Sequence, residues 1–255
     1  MITLVGAGRI GGALARAAGA RRLPHHVVRR DAGWDALREG TGPVLVTVRN
    51  DDLDAVVARV PEARRDDLVF IQNGMLRDWQ AAAGLSHATR GLLFFAVPSR
   101  GAPIEVGGPS PFTGPHAAAV VEFMTAIEVP AEVVDAAAFA RVELEKLVWN
   151  AAFGLLCERF EASVGTLVEA HADVTTALCG ELLDVGARKL GLPLDAAARE
   201  GMIARLLAYS RSIAGYRGAV KEWPWRNGWF VAAADAIGVA TPCHTALLAA
   251  TGHAP

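Results

Sequence analysis

The sequence predicts an α/β chain in two parts: an N-terminal half in which short strands alternate with helices, then an all-helical C-terminal half. Three observations carry this. An apolar run, a glycine-rich turn and a helix-forming stretch fill the first eighteen residues; apolar runs then recur with helical segments between them; and beyond residue 135 the pattern is helical almost to the end.

In order, Ile2–Val5 reads as the first strand, followed by Gly6-Ala7-Gly8-Arg9-Ile10-Gly11-Gly12 and by Ala13 to Ala18, which favours helix. Residues 25–30, 44–48, 68–72 and 91–97 read as four more strands, and 53–60 as one of the intervening helices, the alternation of parallel βαβ units. Residues 101–114, rich in Gly, Pro and Ser around Ile104-Glu105-Val106, predict a hairpin or late strands, where the first half ends. Helices are then expected over 136–160, 164–190, 194–213 and 227–237, which places the domain boundary near Asp135, with domains at 1–135 and 136–255. No repeat at solenoid period and no low-complexity stretch competes with this division.

Composition narrows the partner. The formal charge is −2 with both signs mixed, which offers no footprint for nucleic acid or an anionic membrane and leaves a small-molecule substrate as the expected partner. No run reaches the length of a membrane span, and the N-terminus lacks a secretory pattern, so a soluble cytoplasmic protein is expected. Cys157, Cys179 and Cys243 are spaced neither as a disulfide framework nor as metal ligands; they read as reduced thiols, and no metal is expected. Only Lys146, Lys189 and Lys221 are lysines in an arginine-rich chain, so each one raises a question.

Gly6-x-Gly8-x-x-Gly11 between strand and helix is the pattern of a Rossmann dinucleotide-binding turn. The first glycine permits the tight turn, the second lets backbone approach a pyrophosphate, and the third allows close helix-strand packing. Gly6, Gly8, Arg9, Ile10 and Gly11 are therefore the expected cofactor-binding turn. Val28-Arg29-Arg30-Asp31 ends the second strand, where arginine receives a 2′-phosphate and an acidic residue would instead bond the ribose hydroxyls; Arg29 and Arg30 favour NADP, while Asp31 leaves NAD open. Arg49, after the third strand, is a further candidate for the cofactor phosphates. Asn73, in Gln72-Asn73-Gly74 at the end of the fourth, lies on the sheet edge where such folds bind ligands.

The glycine turn, Gln72-Asn73-Gly74, Glu145-Lys146-Leu147-Val148-Trp149-Asn150, Glu222 with Asn227-Gly228, and Thr241-Pro242 occur in one order across nearly the whole chain. Taken together, the sequence resembles the ketopantoate reductase family, two-domain oxidoreductases of the 6-phosphogluconate dehydrogenase type. The resemblance implies that Lys146 donates a proton to the substrate carbonyl, that Asn150 and Asn73 orient ligand, that Glu222 completes the polar site, and, by spacing, that Ser210 binds the substrate carboxylate. Lys146 and Asn150, four apart on an apolar helix, share one face; the bland alternative is a surface lysine paired with Glu143 one turn earlier. Gly154 stands where the family has a second asparagine and Pro224 where it has an aspartate, while Trp223, Trp225 and Trp229 add bulk, all pointing away from ketopantoate itself. The expected function is thus NADPH-dependent reduction of a 2-oxo acid or related carbonyl compound. An imine reductase or hydroxy-acid dehydrogenase of the same superfamily, or a non-catalytic NADPH sensor, are the alternatives. The helical half is apolar enough to bury a homodimer interface or only its own core.

Overall fold

The structure, a computed structural model, describes residues 1–253 of the 255. The chain divides into two compact units, Met1–Phe139 and Ala140–Pro255. The first is a mostly parallel Rossmann-like sheet with helices and the second is helical, as the sequence predicts.

The first unit contains β1 (Ile2–Val5), α1 (Arg9–Ala20), β2 (His25–Val28), α2 (Ala36–Glu39), β3 (Val44–Val46), α3 (Leu53–Val57), β4 (Leu68–Phe70), α4 (Arg77–Ala82) and β5 (Thr89–Gly91). It continues with β6 (Phe95–Ala96), β7 (Glu105–Val106), β8 (Ser110–Thr113), α5 (Ala117–Ala126) and β9 (Ala131–Val133). Seven strands form one sheet in the order β2-β1-β3-β4-β5-β8-β9. The first five are parallel, β8 runs antiparallel to β5, and β9 is parallel to β8. Strands β1, β3 and β4 are buried along their whole length, which explains their continuous apolar runs. One side of the sheet packs a core of Leu4, Leu14, Leu45, Val69, Phe112, Val120 and Met124.

Two expectations change here. The strand predicted over 91–97 is divided: β5 stays in the main sheet, whereas β6 leaves it to form a separate two-stranded ribbon with β7. At the end of β5 the Phe112 ring of β8 occupies the position that a side chain on Gly91 would need. The sheet also does not end by residue 114, because α5 carries the chain over to β9.

The helical unit comprises most of α6 (Ala136–Phe160), then α7 (Val164–Ala170), α8 (Ala172–Leu190), α9 (Ala196–Ser212), α10 (Asn227–Ile237) and α11 (Pro242–Ala250). Asp135 caps α6, its carboxylate accepting from Ala138 N at 2.7 Å. From Ala151 to Cys157 every residue of α6 is buried, the mark of a helix surrounded by others rather than laid on a surface. The single helix predicted over 164–190 is broken at His171, whose ring stacks on Phe160 with centroids 4.0 Å apart. Helix α11 starts with Pro242, a residue suited to a first turn, and Glu181 of α8 accepts its Cys243 and His244 amides at 3.0 and 2.7 Å. Cys157 and Cys179 are buried and Cys243 is half-buried, all as free thiols.

His244 is wholly buried, and its Nε2 lies 2.9 Å from Asn227 Oδ1. Burial pulls its pKa down to about 4, so the folded protein holds a neutral imidazole. The unfolded chain therefore binds the extra proton first as pH falls, and stability decreases between about pH 6.5 and 4. Denaturant unfolding across that range should show a loss of up to about 3 kcal/mol from this residue. His244→Gln should flatten the slope while lowering stability at neutral pH; an unchanged slope would show that His244 does not set the acid limit.

Candidate active site

The parallel strands reverse their order at β1, with β2 on one side and β3 on the other, so the carboxyl ends of β1 and β3 form the crevice where open α/β sheets bind ligands. The glycine turn lies there. Gly6 has φ +109°, which few other residues adopt. A Cβ on Gly11 would collide with the Gly6 carbonyl oxygen and the Thr47 hydroxyl, so the third glycine is required for packing. Gly8 differs: a Cβ there meets nothing within 4 Å, and the space over the start of α1 is open. No acidic residue stands in the first turn of α1 and no side chain caps it, which leaves its amides and positive dipole end to an external anion. This arrangement fits a pyrophosphate.

Thr47, which the sequence did not single out, ties the turn down. Its hydroxyl is 3.0 Å from both the Val5 and Gly6 carbonyls, and its amide bonds Val5 O at 2.8 Å. Arg9 is exposed and reaches Pro98 O at 3.4 Å, whereas Ile10 packs against the sheet core. Arg29 and Arg30 follow β2 beside the turn, since Gly6 N bonds Val28 O at 2.9 Å, and both are exposed, as are Asp31 and Arg49. Arg59 joins this corner, donating to Arg30 O at 2.6 Å and lying over the Trp34 ring at 3.8 Å. Asn73 is half-buried past β4. Its carbonyl accepts from the buried Asn50 side chain at 2.9 Å, while its own amide makes no side-chain hydrogen bond among the described residues. Gln72 bridges to Val46 O and Val48 O at 2.9 and 3.1 Å, a structural role that holds the two strand ends together.

In the helical unit, Lys146, Trp149, Asn150 and Phe153 recur at the spacing of one helix face on α6. Lys146 is half-buried, and its pKa is lowered to about 8, first by burial and then by the charge of Arg226. Glu143, one turn before it, is buried. The Asn150 amide turns back to Lys146 O at 2.8 Å. Glu222 adopts φ +51°, a left-handed backbone that costs a non-glycine residue on the order of 1 kcal/mol, and leads into a 3-10 turn at Trp223–Trp225. Its carboxylate pairs with Arg226 Nη2 at 2.6 Å across that turn. The next two residues anchor the turn: Asn227 reaches Ala151 O of α6 at 3.5 Å as well as His244, and Gly228 leaves room for the Trp223 carbonyl, which a Cβ would meet at 2.8 Å.

Ser210 lies elsewhere in the bonding network. It is fully buried, donates to Leu206 O at 2.9 Å and accepts from Trp149 Nε1 at 2.9 Å, so its hydroxyl is committed to packing α9 against α6. The Trp149 ring it holds stacks on Phe153 and meets the half-exposed Tyr209 and Tyr216, with centroids 5.2 to 5.8 Å away.

Residues 138–254 match the family model described as "Ketopantoate reductase PanE/ApbA C terminal". Solved ketopantoate reductases extend the likeness of fold to the whole chain. The 2-dehydropantoate 2-reductase of Methylococcus capsulatus superposes with a TM-score of 0.77 at 17% identity, covering 97% of this chain and 94% of that one. A dimeric ketopantoate reductase from Staphylococcus aureus gives 0.70 at 14% identity, with 98% of each chain covered. A D-mandelate dehydrogenase in complex with NADH gives 0.73 at 13% identity, covering 98% and 97%. No curated protein sequence is a significant match. No helix among the described residues is long and apolar enough to cross a membrane, and no group of three or more His, Cys, Asp or Glu is placed to hold a metal ion.

Gly154, where the ketopantoate reductase pattern has asparagine, is the point at which residues 218–220 cross α6. A Cβ there would lie 2.7 Å from the Ala219 carbonyl oxygen. Installing that asparagine in Gly154→Asn should therefore destabilise by about 1–3 kcal/mol through overpacking, despite the better helix propensity. Unfolding curves check this; equal or greater stability would mean that the 218–220 segment yields freely.

Proposed function

We propose that the protein is an NADPH-dependent reductase of a 2-oxo acid or related carbonyl compound. The observation that carries this reading is Lys146, a half-buried ammonium whose pKa of about 8 lies near neutrality, on a helix of the ketopantoate reductase C-terminal domain. When bound, the dinucleotide supplies the hydride that reduces the carbonyl carbon. Gly8, Arg9, Ile10 and Gly11 at the start of α1 would hold its pyrophosphate through backbone amides, with Gly6 shaping the turn; Arg29 and Arg30 would hold its 2′-phosphate, and Arg49 and Asn73 would complete the contacts.

Lys146 then serves the oxygen. Reduction places negative charge there, and a positioned ammonium both stabilises it and delivers the proton; an acid with pKa near the working pH does so more readily than an ordinary lysine. Glu222, held by Arg226, is an anionic neighbour that orients the polar end of the substrate, and Asn150 offers its amide oxygen on the same face of α6. Run in reverse, the same residues would oxidise a hydroxy acid, with neutral Lys146 accepting the proton.

Lys146→Ala should reduce turnover by about 10²-fold or more while leaving dinucleotide affinity near the wild-type value in a fluorescence titration. Lys146→Arg should not rescue it, because guanidinium keeps the charge but releases its proton far less readily. The wild-type rate of carbonyl reduction should fall as pH rises through about 8, where Lys146 loses its proton. Normal turnover in Lys146→Arg would sink the assignment.

For the cofactor, NADP should bind more tightly than NAD, and Arg29→Ala or Arg30→Ala should weaken NADP selectively. A charge-assisted bond of about 1.5–3 kcal/mol corresponds to a change of about tenfold or more in the ratio of affinities. Equal affinity of the wild-type protein for the two dinucleotides would remove the basis for this choice.

A further inference from the structure

The neutral groups of the helical unit suited to receive a substrate carboxylate are already engaged. Ser210 is fully buried with its hydroxyl donating to Leu206 O and accepting from Trp149. The Asn150 amide donates to Lys146 O, and the backbone of residues 218–220 fills the space beside Gly154. One cation is not engaged to the same extent. Arg226 is only 8% exposed; its Nη2 pairs with Glu222, and its Nε is buried with no acceptor. A guanidinium presents five donors in a planar fork, and leaving a buried one unmet is unfavourable unless a ligand completes it.

The position of Arg226 is set by the fold. The following Asn227 is tied to Ala151 O of α6, and Glu222 closes the turn from the other side. The charge of Arg226 is also near enough to Lys146 to depress the ammonium's pKa. The two cations are thus close enough to interact, with one suited to a planar anion and the other to a single oxygen.

We propose that Arg226 is the carboxylate anchor of this site, so that the substrate is a 2-oxo acid whose carboxylate pairs with the guanidinium edge containing Nε while Lys146 addresses the carbonyl oxygen on the adjacent carbon. This rests on the reductase reading above and narrows it. A neutral ketone or an imine without an adjoining carboxylate leaves Arg226 unmet, and sites built for a charged hydrogen-bond partner reject analogues that lack it. The assignment moves the anchoring role from Ser210, a hydroxyl that now orients Trp149, to a residue with which the resemblance to the family had nothing to do.

The test compares the wild-type protein with Arg226→Gln and Arg226→Lys on 2-oxo acids and on their methyl esters, with NADPH as reductant. The wild type should prefer acid to ester, and Arg226→Gln should lower that preference in kcat/KM at least tenfold, mainly through KM. Arg226→Lys keeps the charge without the fork and should recover only part of it. Calorimetric titration with oxamate, a non-reacting 2-oxo acid mimic, gives a readout independent of turnover: affinity should drop tenfold or more in Arg226→Gln, with thermal melting confirming that the variant is folded. If the glutamine variant melts before it can be measured, Arg226→Lys carries the same comparison. An unchanged acid-over-ester preference, equal oxamate affinity in wild type and variant, or no oxamate binding by the wild type overturns the proposal. A wild-type protein that reduces no carbonyl compound while binding oxamate through Arg226 instead defeats the reductase reading and leaves the anchor standing.

Discussion

Asn227 is held from two sides, by the Ala151 carbonyl of the central helix α6 and by the ring of His244, and the turn that carries Glu222 and Arg226 hangs from it. His244 is wholly buried and kept neutral by that burial, with its Nε2–H directed at the asparagine oxygen. Gly228 then brings the Trp223 backbone closer than any side chain would allow. The cost of the left-handed Glu222 backbone is carried by these packed neighbours, the circumstance in which local strain survives in a folded protein. Polar groups spread over eighty residues of sequence are thereby made into one local arrangement.

A corresponding node organises the first unit. The Thr47 hydroxyl sits where the glycine turn, β1 and β3 meet, and Gly11 must be bare because that hydroxyl and the Gly6 carbonyl occupy its side-chain volume. The turn is therefore rigid where it packs and open where Gly8 faces outward. Preorganised amides of this kind bind an anion without first reorganising, and the exposed arginines at the ends of β2 and β3 add long-range attraction for phosphates.

At Lys146 the electrostatics follows from burial more than from ion pairing. Lys146 and Arg226 disfavour one another, and the loss of solvent weakens the hold of Lys146 on its proton. Glu222 answers one of these charges across a turn rather than along a regular helix. Such a cluster is less favourable than an apolar one of the same volume.

Much of the architecture is written locally. The strand, glycine turn and helix at the N-terminus follow from an apolar run and three bare residues, and the observed limits of α6 and α10 coincide with those read from periodicity and capping residues. Lys146 and Asn150 fall on one face simply because they are four apart. Other features had no local signature. Strand β8, Ser-Pro-Phe-Thr, is paired from both sides by β5 and β9, and the break at His171 falls where its ring stacks on Phe160. Ser210 and Trp149 are 61 residues apart, so no spacing rule could reveal that the hydroxyl was already committed. Likewise the closeness of Ala219 to Gly154 and the unmet donor of Arg226 arise only where distant segments meet. By itself the sequence determined the two-part plan, the glycine turn between strand and helix and the shared helix face of Lys146 and Asn150, because each depends on residues near one another along the chain. The tertiary structure alone decided which polar groups remain available to a ligand, because hydrogen-bond commitment and burial are properties of contacts between segments that the chain holds far apart.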